Sequence, residues 1–383
     1  MKIVIAPDSF KGSLTSIEAT HIISSAFESI LPNCEIVKIP ISDGGEGFVD
    51  AIHYSIGGEI HDAIVSGPLP GQRVKAKFLI KNRTAVIEMA SASGLTLVPK
   101  SKRDPKITTT YGVGELIKEA FKYDINEIII GVGGSATNDG GMGMATALGY
   151  RFLDKNEKQL KQGGINLLKL KKIDDSDVDE RIKKVKFKVA VDVLNPLCGP
   201  EGASFTYAMQ KGARRSELPT FDKALKKLAD SIKEKYGIDI GNLPGAGAAG
   251  GLAGGLVAFC NAELVRGIDL FLDLVSFDEK IKNANIIITG EGKIDSQVKY
   301  GKAIKGIIER AKNIPIIAIT GKIEGDLKEL AESLGLTSII TMTHLGMKES
   351  YALEIICVAS IDVREPLNAV SYTHLTLPTN SRV

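Results

Sequence analysis

Residues 131–141 read Gly-Val-Gly-Gly-Ser-Ala-Thr-Asn-Asp-Gly-Gly and follow directly on the apolar run Ile128–Ile130. Five of these eleven residues are glycine, and the others include two hydroxyls, an amide and a carboxylate. A strand that empties into such a loop brings backbone N–H groups against an anion. Asn138 and Asp139 add groups suited to a substrate hydroxyl or a metal ion. The plain alternative is an Asn-Asp-Gly turn between strand and helix. No Gly-Lys-Ser/Thr follows, so this is not a Walker A loop, and the spacing is not GxGxxG, so a nicotinamide reading lacks its fingerprint.

The same succession recurs at the front of the chain. Lys2–Ala6 reads as a buried strand, Pro7–Ser13 as a polar loop, and Thr15 or Ser16 as the cap of a helix running to about Ile30. Glu35–Ile39 is a second strand, followed by Ser42-Asp-Gly-Gly-Glu-Gly47 and a helix to about Ile56. Repeated strand, loop and helix predict a parallel α/β sheet with ligands at the carboxyl ends of its strands. The pattern changes over 60–66, 73–80 and 84–89, where Pro/Gly turns separate short strands and a mixed sheet is expected. Thr110–Tyr123, a segment opening at Gly143, and Phe221–Tyr236 have helical character, Phe187–Val193 reads as a strand, and the Lys-rich stretch 155–184 reads as solvated surface. Alternation resumes with strands at Asn285–Thr289, Pro315–Thr320, Ser338–Thr341 and Ile355–Val358.

Six parallel strands, two at the front and four at the back, make one doubly wound unit. The expected architecture is therefore two α/β domains. Residues 1–65 plus 283–360 form a Rossmann-like parallel-sheet domain split in sequence. Residues 66–282 form an inserted mixed α/β domain. The tail, 361–383, has neither apolar period nor capped helix and reads as a disordered or non-native end.

Composition narrows the function. With 48 basic and 46 acidic residues the net charge is +2, which gives no reason to expect a nucleic acid or an anionic membrane as partner. Tryptophan is absent and aromatics are 5%, against base-stacking surfaces. Cys34, Cys198, Cys260 and Cys357 lie far apart with no CxxC pair, against a zinc site and in keeping with free thiols in a reducing cytoplasm. Cys198 has no evident partner base and reads as a small buried side chain.

Further loops carry chemistry. Asp8-Ser-Phe-Lys-Gly-Ser13 sets a carboxylate, two hydroxyls and an ammonium at the end of the first strand, groups that a small-molecule kinase uses on phosphate and acceptor. Asp43-Gly-Gly-Glu-Gly47 has carboxylates that could orient hydroxyls or hold Mg²⁺ through water, or that cap the next helix. Asp192, closing a strand, has the placing of a base that takes the acceptor proton. The run Gly245–Gly255, with six glycines in eleven residues, serves either close packing or N–H groups facing phosphate. Gly290-Glu-Gly-Lys-Ile-Asp295 has carboxylates suited to Mg²⁺ and a lysine suited to nucleotide phosphate.

Together these loops resemble the bacterial glycerate kinase family of the first type, through APDSFKGS at 6–13, DGGEG at 43–47, GVGGSATNDGG at 131–141, DVLNPLCGP at 192–200, GAAGG at 247–251 and GEGKIDSQ at 290–297. The resemblance covers about residues 1–350 and departs from about Ile355, where members close with a helix. It implies two α/β domains with the site in the cleft between them, and ATP- and Mg²⁺-dependent phosphorylation of D-glycerate, usually to the 2-phospho product. Asp192, Lys11 and Asp8 are then the expected catalytic residues. Ser9, Asp43, Glu46 and Asn138 are expected to bind the acid. Gly131, Gly133, Gly134, Ser135, Gly290, Gly292 and Lys293 are expected to bind nucleotide or another anion. Asp295, Glu291 and Asp139 are the expected metal ligands. A kinase of another small hydroxy acid and a non-catalytic sugar-acid binding protein are the rival readings. A sensor has no need of several carboxylates at strand ends.

Overall fold

The structure is a computed structural model and describes residues 1–294, 303–323 and 327–341. The strand expected at Ile355–Val358, the tail, Cys357 and Asp295 lie outside the described residues. In chain order the strands are β1 (Lys2–Pro7), β2 (Glu35–Lys38), β3 (Glu59–Ser66), β4 (Arg73–Lys81), β5 (Thr84–Glu88), β6 (Glu127–Gly131), β7 (Arg151–Leu153), β8 (Lys172–Asp174), β9 (Lys186–Val191), β10 (Glu263–Arg266), β11 (Ile286–Ile294), β12 (Ile316–Ile323) and β13 (Ser338–Thr341). The chain forms two compact units. One comprises Met1–Ile41 and the described residues from Asp278 on, save Ala303; the other comprises Ser42–Phe277.

The first unit is a parallel sheet in the order β13-β12-β11-β1-β2. Strand order reverses between β1 and β11, the place where open parallel sheets bind ligands. Its core joins Ile3, Ile5, Ile286, Ile288 and Ile319 from the strands to Ala19, Ile23 and Phe27 of helix Ser16–Ile30. That helix buries residues at three- and four-residue spacing, as an amphipathic helix on a sheet must. It starts where its capping signal stands: the Thr15 hydroxyl accepts from the Glu18 N–H at 3.2 Å, and Glu18 accepts from the Thr15 N–H at 2.8 Å. Strand β11 runs further than its apolar segment suggests. The residues Gly290–Ile294, expected as a loop, continue the ladder with β12 through Glu291↔Thr320 and Lys293↔Lys322. The pairing of a buried neighbour strand overrides the local turn signal of the glycines.

The second unit has a six-stranded sheet in the order β10-β9-β6-β5-β4-β3, parallel from β10 to β5 and antiparallel from β5 to β3. The small hairpin β7–β8 stands apart from it. The core beneath the main sheet includes Ile87, Ile128, Ile130, Val189, Met144, Leu228 and Leu252. Residues 42–65, expected with the split unit, belong to this one. Asp50 of helix Phe48–Ile56 pairs with Lys77 of β4, and β3 zips onto β4 along its whole length, Glu59↔Ile80 to Ser66↔Arg73. A strand follows the hydrogen bonds open to it, and those are on β4.

The capping box gives a direct check on the first unit. Thr15→Ala removes the hydroxyl that accepts from the Glu18 N–H and donates to the Glu18 carboxylate at 2.9 Å, and is expected to cost about 1 kcal/mol in a urea unfolding titration.

Candidate active site

In the first unit the loop leaving β1 folds back onto β11. The Asp8 N–H donates to the Gly290 carbonyl at 2.8 Å, and the Asp8 carboxylate accepts from the Ser9 N–H at 2.6 Å. Phe10 bridges to Leu14 across the turn, which leaves Lys11 exposed at its tip. A Cβ on Gly292 would stand 3.3 Å from the Lys11 nitrogen, so loop and strand lie backbone against backbone. The structure thus gathers Asp8, Ser9, Lys11, Gly290, Glu291, Gly292 and Lys293 at the switch point. Glu291 and Lys293, two apart on β11, share one face of the strand. Glu291 is buried and Lys293 exposed.

In the second unit four parallel strands end side by side. Glu88 of β5 is paired with Gly131 of β6, Gly131 with Ala190 of β9, and Val191 with Arg266 of β10. Asp192 and Gly267 are the next residues along. The Asp43–Gly47 loop lies across this edge, and glycine makes that possible. The Gly133 N–H donates to the Gly44 carbonyl at 3.0 Å, and a Cβ on Gly133 would stand 2.5 Å from the Gly45 Cα. One N–H of the expected anion cradle is therefore committed to loop packing. At Gly267 a Cβ would stand 2.7 Å from the Asp192 carboxylate and would overlap the Asp43 carbonyl. The bare backbone at Gly267 makes room for both acidic loops.

Asp43 does not cap the following helix. Its Oδ1 accepts from the Gly45 N–H at 3.2 Å, turning the loop, and the helix begins after Gly47, which has no side chain to offer. The cap comes from Glu88. Its Oε2 accepts from the Gly47 N–H at 3.0 Å and the Val49 N–H at 3.5 Å. Burial pushes the Glu88 carboxyl up to about 7, against the lowering effect of those N–H groups. Glu46, freed of capping, is exposed.

Asp139, expected as a metal ligand, is sealed in the interior. Its carboxylate accepts from the N–H and hydroxyl of Thr110 and from the N–H groups of Gly141 and Gly143. With four donors already spent on its two oxygens it serves as the loop's internal brace, and it does not fit a metal. Among the described residues no three His, Cys, Asp or Glu side chains group around a possible ion. Glu291 remains a hard oxygen donor of the kind Mg²⁺ takes when phosphates and water fill the rest of its shell.

The glycine run is resolved in favour of packing. A Cβ on Gly250 would overlap the Thr137 carbonyl, and one on Gly255 would stand 2.5 Å from the Gly140 carbonyl. The run, which holds the short turn Ala248–Gly251 and the start of helix Leu252–Cys260, presses onto the back of the 137–141 loop. Cys198 keeps its inert reading, since burial pushes its thiol up to about 12.

Two residues that pattern reasoning passed over grip this loop from segment 203–211. Ser204 accepts from the Asn138 side-chain amide at 3.1 Å. Lys211, 2% exposed, donates to the Ser135 hydroxyl at 2.6 Å and the Thr137 carbonyl at 2.7 Å. Burial pulls the Lys211 amine down to about 7, with the Asp139 charge drawing it back up. A lysine in a stretch reading Met-Gln-Lys-Gly looks like surface. Glu88, 7% exposed, does carry a signal, a carboxylate closing an apolar strand.

Strand-end loops of this chemistry, on parallel sheets without a dinucleotide fingerprint, define an α/β phosphotransferase acting on an alcohol group. The profile of the glycerate kinase family matches residues 3–356. A glycerate kinase of Halalkalibacterium halodurans is 47% identical over 325 residues, 84% of this chain and 85% of that one. The glycerate 2-kinase of Escherichia coli K12 is 42% identical over 375 residues, 96% of this chain and 98% of that one. A crystal structure from Salmonella typhimurium LT2, itself assigned as a glycerate kinase 2, superposes with a TM-score of 0.83 at 42% identity, covering 95% of this chain and 97% of that one. This chain belongs to the glycerate kinase family.

The buried amine predicts a pH signature. An amine held near 7 when folded and near 10.5 when unfolded means that the unfolded chain binds more protons between those values. Stability from this group therefore rises with pH from about 7 to about 10.5 and is constant outside that window. Lys211→Met is expected to remove a rise of a few kcal/mol, read from urea midpoints across that range.

Proposed function

We propose that this chain transfers the γ-phosphoryl group of ATP to the 2-hydroxyl of D-glycerate. Family membership over residues 3–356 supports the substrate, and the name of the Escherichia coli relative supports the 2-position. The observation that carries the chemistry is the row of strand ends in the second unit, where Asp192 stands beside Gly267 and the Asp43 loop. Asp192 takes the proton of the acceptor hydroxyl as its oxygen bonds to phosphorus and the bond to the bridging oxygen of ADP breaks. Asp43, Glu46, Ser135 and Asn138 orient the acid, with Ser135 and Asn138 held by Lys211 and Ser204. The Gly131–Gly134 backbone shapes their loop.

In the first unit, Lys11 and Lys293 supply positive charge for the phosphates, and Asp8 turns the loop that presents Ser9 and Lys11. Gly290 and Gly292 let that loop approach β11 closely. Mg²⁺, when bound, would be held from Glu291 and Asp295 and would draw charge from the phosphate oxygens. Among the described residues no helix is long and apolar enough to cross a membrane. We place the reaction in the cytoplasm, where ATP is supplied.

The purified chain with ATP, Mg²⁺ and D-glycerate is expected to release ADP and 2-phosphoglycerate, resolved from the 3-isomer by NMR. Release of ADP with another hydroxy acid but not with glycerate would overturn the assignment. Asp192→Asn is expected to lower kcat by about 10²-fold or more with little change in KM for ATP, the size of effect general-base loss produces. Normal turnover in that variant would remove Asp192 as the base.

A further inference from the structure

The Asp43–Gly47 loop is held at its far end by one side chain from outside it. Glu88 is buried at the end of β5, next to Gly131 of β6, and a single oxygen of its carboxylate receives the N–H groups of Gly47 and Val49. The helix that starts there, Phe48–Ile56, has no side-chain cap of its own. The Glu88 backbone is fixed by the sheet and by the Ser91 hydroxyl, which donates to its carbonyl at 2.7 Å. The anchor is therefore rigid, and what it holds is a loop of glycines carrying Asp43 and Glu46.

The charges around the anchor nearly cancel. From the helix Asp50 faces it, and from β4 Lys77 faces it. Those two form an ion pair at 2.5 Å. Gly131, on the neighbouring strand, brings no charge. Among the described residues no cation is dedicated to it, and two backbone N–H groups, with a smaller contribution from Lys77, stabilise the Glu88 carboxylate. A charge-assisted hydrogen bond is roughly twice as strong as a neutral one, so loss of the charge loosens the grip on Gly47 and Val49.

We propose that Glu88 is a positioning residue for the kinase reaction: ionised, it clamps the Asp43–Gly47 loop in the arrangement that receives the acid, and protonated, it releases that loop. The proposal rests on the reading of this loop as acid-binding. The apparent affinity for the acid scales with the fraction of protein in the competent state. With burial holding the midpoint near 7, the ionised fraction falls about tenfold between pH 8 and pH 6, which is the most that the apparent affinity can change.

The test is KM for D-glycerate at saturating ATP and Mg²⁺ between pH 6 and 8.5, in the wild type and in Glu88→Gln. Glutamine keeps an oxygen but, like the protonated acid, carries no charge, and it does not titrate. Expected is a rise in KM of up to about tenfold from pH 8 to pH 6 in the wild type, and in Glu88→Gln a KM that stays near the wild type's pH 6 value throughout. Titration of ATP or glycerate is common to both proteins and drops out of the comparison.

Parallel pH profiles in the two, or a flat wild-type profile, would overturn the proposal while leaving glycerate as substrate. Absence of glycerate turnover at every pH would overturn the acid-binding reading beneath it as well. Should Glu88→Gln not fold, ¹³C NMR of the glutamate carboxyls in the wild type decides. One midpoint near 7 that moves down when glycerate is added supports the clamp, and a midpoint indifferent to glycerate marks a plain helix cap.

Discussion

A hydrogen bond between two glycine loops, Gly133 N–H to the Gly44 carbonyl, governs the second unit's site. It forms only because neither chain carries a side chain at the crossing, so two backbones meet at hydrogen-bonding distance. From this contact follow the position of Asp43 over the sheet edge and the exit path of the 134–141 loop. Asp192 finds its space by the same means, opposite Gly267. Gly250 and Gly255 repeat the device on the far side of the loop. Much of this unit's glycine content is thus the cost of bringing four backbones together at one edge.

Most polar groups buried in that crowded edge are satisfied, chiefly by partners distant in sequence, while the Thr137 hydroxyl and the Asn138 side-chain oxygen have no hydrogen-bond partner among the described residues. Asp139 is braced by Thr110, Asn138 by Ser204, Ser135 by Lys211, and the start of helix Phe48–Ile56 by Glu88. Each is a side chain whose burial would cost about 1–3 kcal/mol if it stood unpaired. Pairing turns that cost into rigidity for the loops at this edge. It also leaves two groups, the Glu88 carboxyl and the Lys211 amine, titrating near neutrality because burial opposes their charge.

The elements were largely legible in the sequence. Helix Ser16–Ile30 carries its capping box and its period, and the strand runs at Lys2, Glu35, Ile128 and Phe187 are apolar and bounded by turn residues. The motif residues proved to fall into two groups, Asp8 to Lys11 with Gly290 to Lys293, and Asp43 to Glu46 with Gly131 to Asp192. Misreadings came where a local signal met a non-local pairing. Gly290–Ile294 has the composition of a turn but is held as strand by β12. Residues 42–65 follow a parallel-sheet pattern but pair with β4. Asp139 has the residue type of a ligand but is consumed by Thr110 and two backbone N–H groups.

By itself the sequence determined the alternation of strand and helix, the placement of glycines and carboxylates at strand ends, and the family to which these motifs point. All of these are local, set by residue type over a few positions. Only the tertiary structure decided which glycines serve packing, which carboxylates are exposed and which are braces, and that Glu88 and Lys211 hold the strand-end loops at all. Those outcomes depend on which backbone N–H groups and carbonyls are left unpaired once the sheet has formed, and that is a property of the folded chain.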